Sequence, residues 1–250
     1  MAVSKIEVEV CVNSKDILSV RDAVNAAYLG GASYIELCDE MHLGGTTPPR
    51  EHIMEARMSL HYRKGLMVMI RPRGGDFCYS ATEIELMQRQ IITAAEEGAD
   101  GVVMGVLNID GKVNTKALCL LVKTGKDNGL KTGFHRAVDA APDPVSALDT
   151  IIECGVDRVL TAGIPWGHEG TALDGITILE KMIRTSVGRI DVVISGGINS
   201  INVTKILTKI PLDITPLVFH SYSGVQKNGK TDPDLVQELV KAARSLNKEE

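Results

Sequence analysis

Hydrophobic and polar positions follow two different periods along the chain. Short apolar runs of strand length recur, and several segments between them bring apolar residues back every three to four positions, as in amphipathic helices. These helical segments are Asp16–Leu29, Ala81–Glu97, Val145–Cys154 and Ile201–Lys209. The eight predicted strands are Ile6–Val12, Tyr34–Leu37, Leu66–Ile70, Gly101–Val106, Lys131–His135, Arg158–Thr161, Asp191–Ser195 and Leu217–His220. The pattern predicts strands that alternate with helices.

Helix-start signals support this division. Ser80-Ala81-Thr82-Glu83 has the Ser-x-x-Glu form of a capping box. Three further starts place a capping residue directly before a proline: Thr47-Pro48, Asp143-Pro144 and Asp232-Pro233. Residues 225–230 are predicted to form an exposed loop ahead of a last helix that ends near Leu246.

The number of strands decides between two α/β architectures. Eight strands alternating with helices over 250 residues match the size and rhythm of a (β/α)8 TIM barrel. A doubly wound open sheet is the competing architecture, but it usually has fewer strands at this length. No proline- or serine-rich linker divides the chain. We therefore predict a single-domain TIM barrel over residues 1–250.

Composition and charge exclude several kinds of partner. The net charge is −5 and no basic run occurs, so we expect no nucleic-acid partner. No apolar stretch approaches the ~18 residues that a membrane span needs, and residues 1–7 lack the apolar core of a signal peptide. Five cysteines without a C-x-x-C motif favour a reducing compartment over a disulfide framework. These features predict a cytoplasmic protein without a membrane partner.

The third strand ends in a loop that is rich in charge and glycine. Arg71, Arg73, Gly74-Gly75 and Asp76 follow the strand and precede the capping box. Because functional residues of βαβ proteins lie at the carboxyl ends of strands, these side chains are candidates for binding an anionic substrate. The alternative is that they form ion pairs with one another at a surface turn.

The first two strands carry carboxylates and thiols on the same face. Glu9 and Cys11 alternate with aliphatic residues in the first strand, and Glu36 and Cys38 do so in the second. The aliphatic face of a barrel strand contacts the helices, so the polar face points inward. Glutamate side chains that point into the barrel are seldom buried without a partner, so they require cationic side chains nearby. The candidate cations are Arg71, Arg73, Arg136 and Arg158. A purely structural ion-pair network remains the alternative to functional carboxylates, and buried core cysteines remain the alternative to a thiol site for Cu(I).

Further polar residues follow the fifth strand. His135, Arg136 and Asp139 there can serve as acid or base, anion clamp and orienting group. A structural histidine is an equally good interpretation of His135. No His-Glu-x-x-His spacing occurs, which argues against a catalytic zinc site.

The seventh and eighth strands end in small and polar residues. Ser195-Gly196-Gly197 offers backbone N–H groups without bulky side chains, and His220-Ser221 follows at the same rim. Loops after strands seven and eight form the phosphate site in many TIM barrels. The position predicts an anion-binding turn.

Taken together, these motifs resemble the CutC family, which is named for copper homeostasis. The resemblance covers nearly the full length and includes Glu7-Val8-Glu9-Val10-Cys11, Tyr34-Ile35-Glu36-Leu37-Cys38, the segment from Ile70 to Ser80, Phe134-His135-Arg136-Ala137-Val138-Asp139 and Phe219-His220-Ser221. It implies a TIM barrel, a cytoplasmic location, self-association as a homodimer or larger homo-oligomer, and copper as a partner. The family's suggested Cu(I) ligands fall on Cys11 and Cys38.

Two functional hypotheses follow. The first is a copper homeostasis protein that binds Cu(I) through Cys11 and Cys38. The second is an enzyme that acts on a small anionic or phosphorylated substrate at the mouth of the barrel. Its candidate catalytic residues are Glu9, Glu36, His135 and Asp139. Its candidate binding residues are Arg71, Arg73, Asp76, Arg136, Ser195, Gly196, Gly197, His220 and Ser221.

Overall fold

Eight parallel strands close into a barrel in the order in which they occur along the chain. The computed structural model describes residues 6–212 and 216–245. The strands are β1 Ile6–Asn13, β2 Tyr34–Cys38, β3 Leu66–Met69, β4 Gly101–Met104, β5 Lys131–Phe134, β6 Arg158–Thr161, β7 Asp191–Ile194 and β8 Leu217–Ser221. β8 pairs with β1 and closes the ring.

Eight helices alternate with the strands. They are α1 Ile17–Leu29, α2 Arg50–Leu60, α3 Ala81–Glu96, α4 Thr115–Asp127, α5 Pro144–Glu153, α6 Ile176–Ser186, α7 Asn202–Leu207 and α8 Pro233–Ala243. The architecture is a (β/α)8 TIM barrel, and the predicted fold class is confirmed. The helix facing each strand pair covers the aliphatic outer face of the sheet, as the alternating pattern requires.

The predicted caps hold at three helices and fail at one. The Ser80 side chain accepts the Glu83 N–H and completes a capping box, while Asp143 and Asp232 cap α5 and α8. Thr47 does not cap α2, which begins at Arg50 without a side-chain cap. Its hydroxyl instead accepts the backbone N–H of Arg71 at 2.8 Å, so it ties the loop after β2 to the end of β3.

Inward and outward faces of the barrel strands alternate as their sequence predicts. In β1 the valines face the helices, whereas Glu9 and Cys11 lie buried within the barrel, 0% and 1% exposed. A small cluster of Leu160, Val193 and Val218 also fills the interior. A barrel of eight strands has an interior just wide enough for side chains, so the polar groups of β1 are enclosed at close quarters.

The last part of the barrel differs slightly from expectation. Residues 225–230 were expected as a loop, but a small hairpin of β9 Gln226–Lys227 and β10 Lys230–Thr231 forms there. α8 ends at Ala243, and Leu246 lies outside the described residues. α7 is shorter than predicted because only Asn202–Leu207 keeps helical hydrogen bonding.

The expectation of unpaired cysteines is wrong for one pair. Cys119 on α4 and Cys154 at the end of α5 form a disulfide across 35 positions of sequence. The two residues belong to neighbouring helices of the barrel's outer ring, which the spacing alone does not indicate. Cys11, Cys38 and Cys78 are free thiols.

Within the described residues, no helix is long and apolar enough to cross a membrane.

Candidate functional site

A cavity of about 230 Å³ opens at the carboxyl ends of the barrel strands. Strands from all around the barrel contribute to it, because the carboxyl ends of parallel strands meet at one rim. Ten of the predicted site residues line it: Cys11, Glu36, Cys38, Arg71, His135, Arg136, Ser195, Gly196, Gly197 and His220. The fold thus brings most of the candidates together in one enclosed space.

Three further candidates are buried behind the residues that line the cavity. Glu9 lies one layer deeper in the barrel. Asp139 is buried and accepts hydrogen bonds from the Thr161 hydroxyl at 2.5 Å and from the Ala162 N–H at 2.9 Å. Ser221 donates to the Ile198 carbonyl at 2.6 Å. Asp139 and Ser221 each hold a neighbouring loop in place, whereas Glu9 contacts Arg158 and His220 on β6 and β8.

Arg73 and Asp76 lie on the surface instead. Arg73 forms ion pairs with Asp76 at 3.1 Å and with Glu83 at 2.6 Å, and all three side chains are partly or largely exposed. These two ion pairs stabilise the loop between β3 and α3. This is the surface-turn arrangement that the sequence left open as an alternative.

Arg71 differs from Arg73 although only one residue separates them. It is 1% exposed, and its guanidinium donates to the backbone carbonyls of Leu43, Gly45 and Gly75 at 2.7–2.9 Å. Among the described residues, no carboxylate lies within ion-pairing distance of it. The cavity therefore contains a fixed positive charge without a protein counter-ion.

Three sulfur atoms also meet at the cavity. The Sγ atom of Cys11 lies 3.7 Å from that of Cys38 and 3.8 Å from the Sδ atom of Met41. The hydrogen bond from Cys38 lowers the pKa of the Cys11 thiol to about 6, although burial opposes this, and His220 adds to the lowering. We call Cys11, Cys38 and Met41 the sulfur cluster.

Carboxylates and cations alternate beneath the sulfur cluster. Glu9 forms an ion pair with Arg158 at 2.8 Å and contacts the Nδ1 atom of His220 at 2.9 Å. The Nε2 atom of His220 lies 3.7 Å from Glu36. We call these residues, together with Cys11, the buried charge network.

The charge network sets the protonation of its members. Burial works against the charged form of His220, but Glu36, Cys11 and Glu9 outweigh it and hold the pKa of His220 well above its ordinary value. Burial raises the pKa of Glu36 to about 8, against the attraction of His220. A cationic imidazole and a carboxylic acid that keeps its proton near neutral pH therefore lie side by side at the cavity wall.

Four buried polar atoms of cavity-lining side chains have no hydrogen-bond partner. They are Glu36 Oε1, Arg71 Nε, His135 Nε2 and Ser195 Oγ. Buried polar groups in folded proteins are nearly always hydrogen-bonded, and those without a partner require an explanation. Four such atoms of the described residues lie around this single cavity.

The tautomer of His135 follows from its contacts. Its Nδ1 atom accepts the backbone N–H of Ala137 at 3.1 Å, so the proton of the neutral ring is on Nε2. Burial, with the nearby charge of Arg71, lowers the pKa of His135 to about 3. His135 is therefore a neutral hydrogen-bond donor at the cavity wall.

The glycine turn after β7 has the geometry expected of an anion-binding loop. Gly196 and Gly197 have φ values of +93° and +67°, a region that residues with a side chain rarely adopt. In the part of the chain that the structure describes, no protein acceptor binds the N–H of either glycine. The turn presents bare donors beside Ser195.

Several lining residues have no clear signal in the sequence. Met41 lies in a short helix after β2, and Tyr222 and Phe77 lie in loops. Trp166, in the loop after β6, packs against Phe77 at 5.3 Å and beneath the Arg136 guanidinium at 5.2 Å. Loop residues reach the cavity through tertiary contacts, and no periodic pattern marks them.

The fold and the cavity define a TIM-barrel protein with a small pocket at the mouth of the barrel, lined by sulfur atoms and by hydrogen-bond donors. The chain belongs to the CutC family, whose model matches residues 6–214. The family resemblance carried by the motifs is thereby confirmed.

Known relatives and structures agree with this assignment. The chain is 42% identical to the human copper homeostasis protein cutC homolog over 199 residues, which are 80% of this chain and 68% of the human protein. It is 40% identical over 205 residues to a CutC family protein of Bacteroides thetaiotaomicron, covering 82% and 77% of the two chains. The crystal structure of CutC from Streptococcus agalactiae matches with a TM-score of 0.74 at 28% identity, covering 87% of this chain and 99% of that one.

Proposed function

We propose that the protein binds Cu(I) through Cys11, Cys38 and Met41 and serves copper homeostasis. The observation that carries this proposal is the convergence of three sulfur atoms, 3.7 and 3.8 Å apart, on one wall of the cavity. Thiolate and thioether sulfur are the soft donors that select Cu(I). The lowered pKa of Cys11 supports binding, because the thiolate is the metal ligand.

A second donor set overlaps the sulfur cluster. Ligand atoms of Cys11, Glu36 and His220 lie within 4.8 Å of one another. This set mixes one soft donor with a carboxylate and an imidazole, which suits harder divalent ions better than Cu(I). The two sets share Cys11. Cys38 and Met41 belong only to the first and Glu36 and His220 only to the second, so substitutions at Cys38 and Glu36 distinguish them.

The test is an anaerobic titration of the protein with Cu(I) in competition with a chromophoric chelator. We expect Cys38→Ser to weaken Cu(I) binding by about tenfold or more, because one of the few ligands is lost. Met41→Leu should weaken it less, since a thioether is the weaker ligand.

Glu36→Gln is the matched control for this titration, because it changes the overlapping donor set and leaves the three sulfur atoms in place. We expect its Cu(I) affinity to stay close to that of the unsubstituted protein. Equal affinity in the Cys11→Ser/Cys38→Ser double variant would falsify the sulfur site.

Location and assembly are part of the same proposal. Cu(I) bound by free thiols is favoured in a reducing compartment, so the proposed location is the cytoplasm. The Cys119–Cys154 disulfide is unusual for that compartment, and cell fractionation with alkylation of free thiols measures both properties together. The proposed assembly is a homodimer or larger homo-oligomer, which light scattering of the purified protein measures directly.

The second candidate is an enzyme that acts on a small anionic substrate in the same cavity. The observation that favours it is the buried Arg71 guanidinium without a carboxylate partner. A Cu(I) site of three sulfur atoms has no need of this charge. Glu36 and His220 would transfer protons, since one is a carboxylic acid with a raised pKa and the other a cation.

Proton exchange is the measurement that tests this activity. Small anionic metabolites incubated with the protein in D₂O should exchange C–H for C–D or convert, as followed by NMR. Glu36→Gln should abolish the reaction and Arg73→Gln, which alters a surface ion pair, should not. A complete absence of exchange and conversion across the panel removes the enzyme proposal.

A further inference from the structure

We infer that Arg71, His135 and Ser195 form a binding site for the carboxylate of a small organic acid that carries a single negative charge. The inference deepens the second candidate function by naming the class of ligand, and it concerns binding rather than turnover. Each of the three side chains is buried, each lines the cavity, and each has a polar atom without a partner.

Arg71 supplies the charge. Its backbone contacts hold the guanidinium rigidly, with carbonyls from two different loops accepting from its two terminal nitrogens. These carbonyls satisfy hydrogen bonds without cancelling the charge. The Nε atom remains free. A buried charge without a counter-ion is costly, so an anionic ligand that neutralises it gains binding energy.

His135 supplies a fixed neutral donor. Its Nδ1 atom accepts a hydrogen bond from the Ala137 N–H, so the ring proton is on Nε2. This Nε2 atom has no partner among the described residues. The ring is 3% exposed and packs against Phe77, over which the Arg71 guanidinium also lies at 5.1 Å. Arg71 and His135 therefore flank the same aromatic ring and both face the cavity.

Ser195 and the glycine turn complete the donors. The Ser195 hydroxyl is buried and unpartnered, and the bare N–H groups of Gly196 and Gly197 follow it directly. A carboxylate has two oxygens and about four acceptor positions. The cavity lining therefore offers at least as many donors as one carboxylate can accept.

The charges of the cavity favour a monoanion over a phosphate ester. Arg136 contacts Asp139 at 2.8 Å and Arg158 contacts Glu9 at 2.8 Å, so each of these two described arginines has a carboxylate partner. Arg71 has none within the described residues. A phosphate ester carries about −1.5 to −2 at pH 7 and would leave negative charge buried without compensation.

The cavity volume limits the ligand to a small acid. About 230 Å³ is below the ~300–1,000 Å³ of pockets that bind drug-sized molecules. Glu36 and His220 also line the cavity and can hydrogen-bond a hydroxyl or carbonyl group. A short hydroxy acid or keto acid matches both kinds of lining group.

Isothermal titration calorimetry with lactate, lactamide and inorganic phosphate at constant ionic strength tests the inference. Lactamide has the shape of lactate without its charge, and phosphate has more charge. We expect lactate to bind most tightly. In Arg71→Gln and Ser195→Ala its affinity should fall by about tenfold or more, the loss expected when a charge-assisted or buried hydrogen bond is removed.

Arg73→Gln is the matched control, since it removes an arginine two positions away that lies on the surface. It should bind lactate as the unsubstituted protein does. If Arg71→Gln fails to fold, Ser195→Ala and His135→Asn decide the question, because both leave the contacts of Arg71 intact. The inference is overturned if lactate does not bind, if lactamide or phosphate binds more tightly, or if the folded variants bind lactate unchanged. Lactate binding without proton exchange would remove only the enzyme proposal.

Discussion

Replacing Arg158 by methionine should lower the free energy of unfolding by about 3–5 kcal/mol, the loss expected when one partner of a buried ion pair is removed. Arg158 contacts Glu9 at 2.8 Å, and the two side chains are 8% and 1% exposed. Methionine fills much of the same volume but leaves the Glu9 carboxylate with His220 as its remaining cation. Urea unfolding followed by circular dichroism measures the change.

Two companion variants separate the ion pair from simple packing. Glu9→Gln combined with Arg158→Met removes both charges of the ion pair, and it should recover a large part of the lost stability because the Glu9 carboxylate is no longer left without Arg158. Arg184→Ala removes an exposed helical ion pair with Glu180 and should cost no more than about 0.5 kcal/mol. If Arg158→Met is as stable as Arg184→Ala, the buried charge network does not stabilise the barrel.

Acid should destabilise the protein through His135. The pKa of this buried ring is about 3 in the folded protein, against an ordinary value of 6.5. Between these two pH values the unfolded chain binds the proton and the folded chain does not, so stability falls as the pH falls from 6.5 towards 3. For this residue alone the loss between pH 7 and pH 4 amounts to about 3 kcal/mol.

His135→Asn isolates this contribution. The asparagine side chain can still accept the Ala137 N–H but does not titrate. The free energy of unfolding should be measured for both proteins at several pH values. Between pH 7 and pH 4 the unsubstituted protein should lose about 3 kcal/mol more of it than the variant does. A difference that does not change with pH would show that His135 is not held neutral by burial.

The two proposals for the cavity use different residues. The sulfur cluster is assembled from β1, β2 and the short helix after β2, whereas Arg71, His135 and Ser195 come from the ends of β3, β5 and β7. Cu(I) and a small acid therefore need not compete for the same atoms. Titrating Cu(I) in the presence and absence of lactate would show whether the two sites influence each other.

The periodic pattern determined the architecture. All eight barrel strands lie where they were predicted, and α1, α3 and α5 agree closely with predicted segments, since apolar alternation and amphipathic spacing are local properties. No bounds were predicted for α4 and α6, and α7 is shorter than predicted. The inward face of β1 was also readable, because period 2 places Glu9 and Cys11 on one side. The extent of one domain over residues 1–250 remains a prediction.

The sequence could not distinguish the roles of chemically similar residues. Arg71 and Arg73 stand in one motif, yet the first is buried in the cavity and the second braces a surface loop. The difference arises because carbonyls from a distant loop surround Arg71. Cys119 and Cys154 likewise gave no sign of pairing, since only the packing of α4 and α5 brings them together.

The sulfur cluster shows the division between sequence and tertiary structure most clearly. The sequence by itself determined a (β/α)8 barrel with carboxylates and thiols on the inner faces of its first two strands. In the register of the sheet, Cys11 pairs with Glu36 and Asn13 with Cys38, so the two cysteines are not direct neighbours. The stagger of the closed barrel and the loop that carries Met41 bring the three sulfur atoms together. Register and loop conformation depend on contacts between distant parts of the chain, and these only the folded protein establishes.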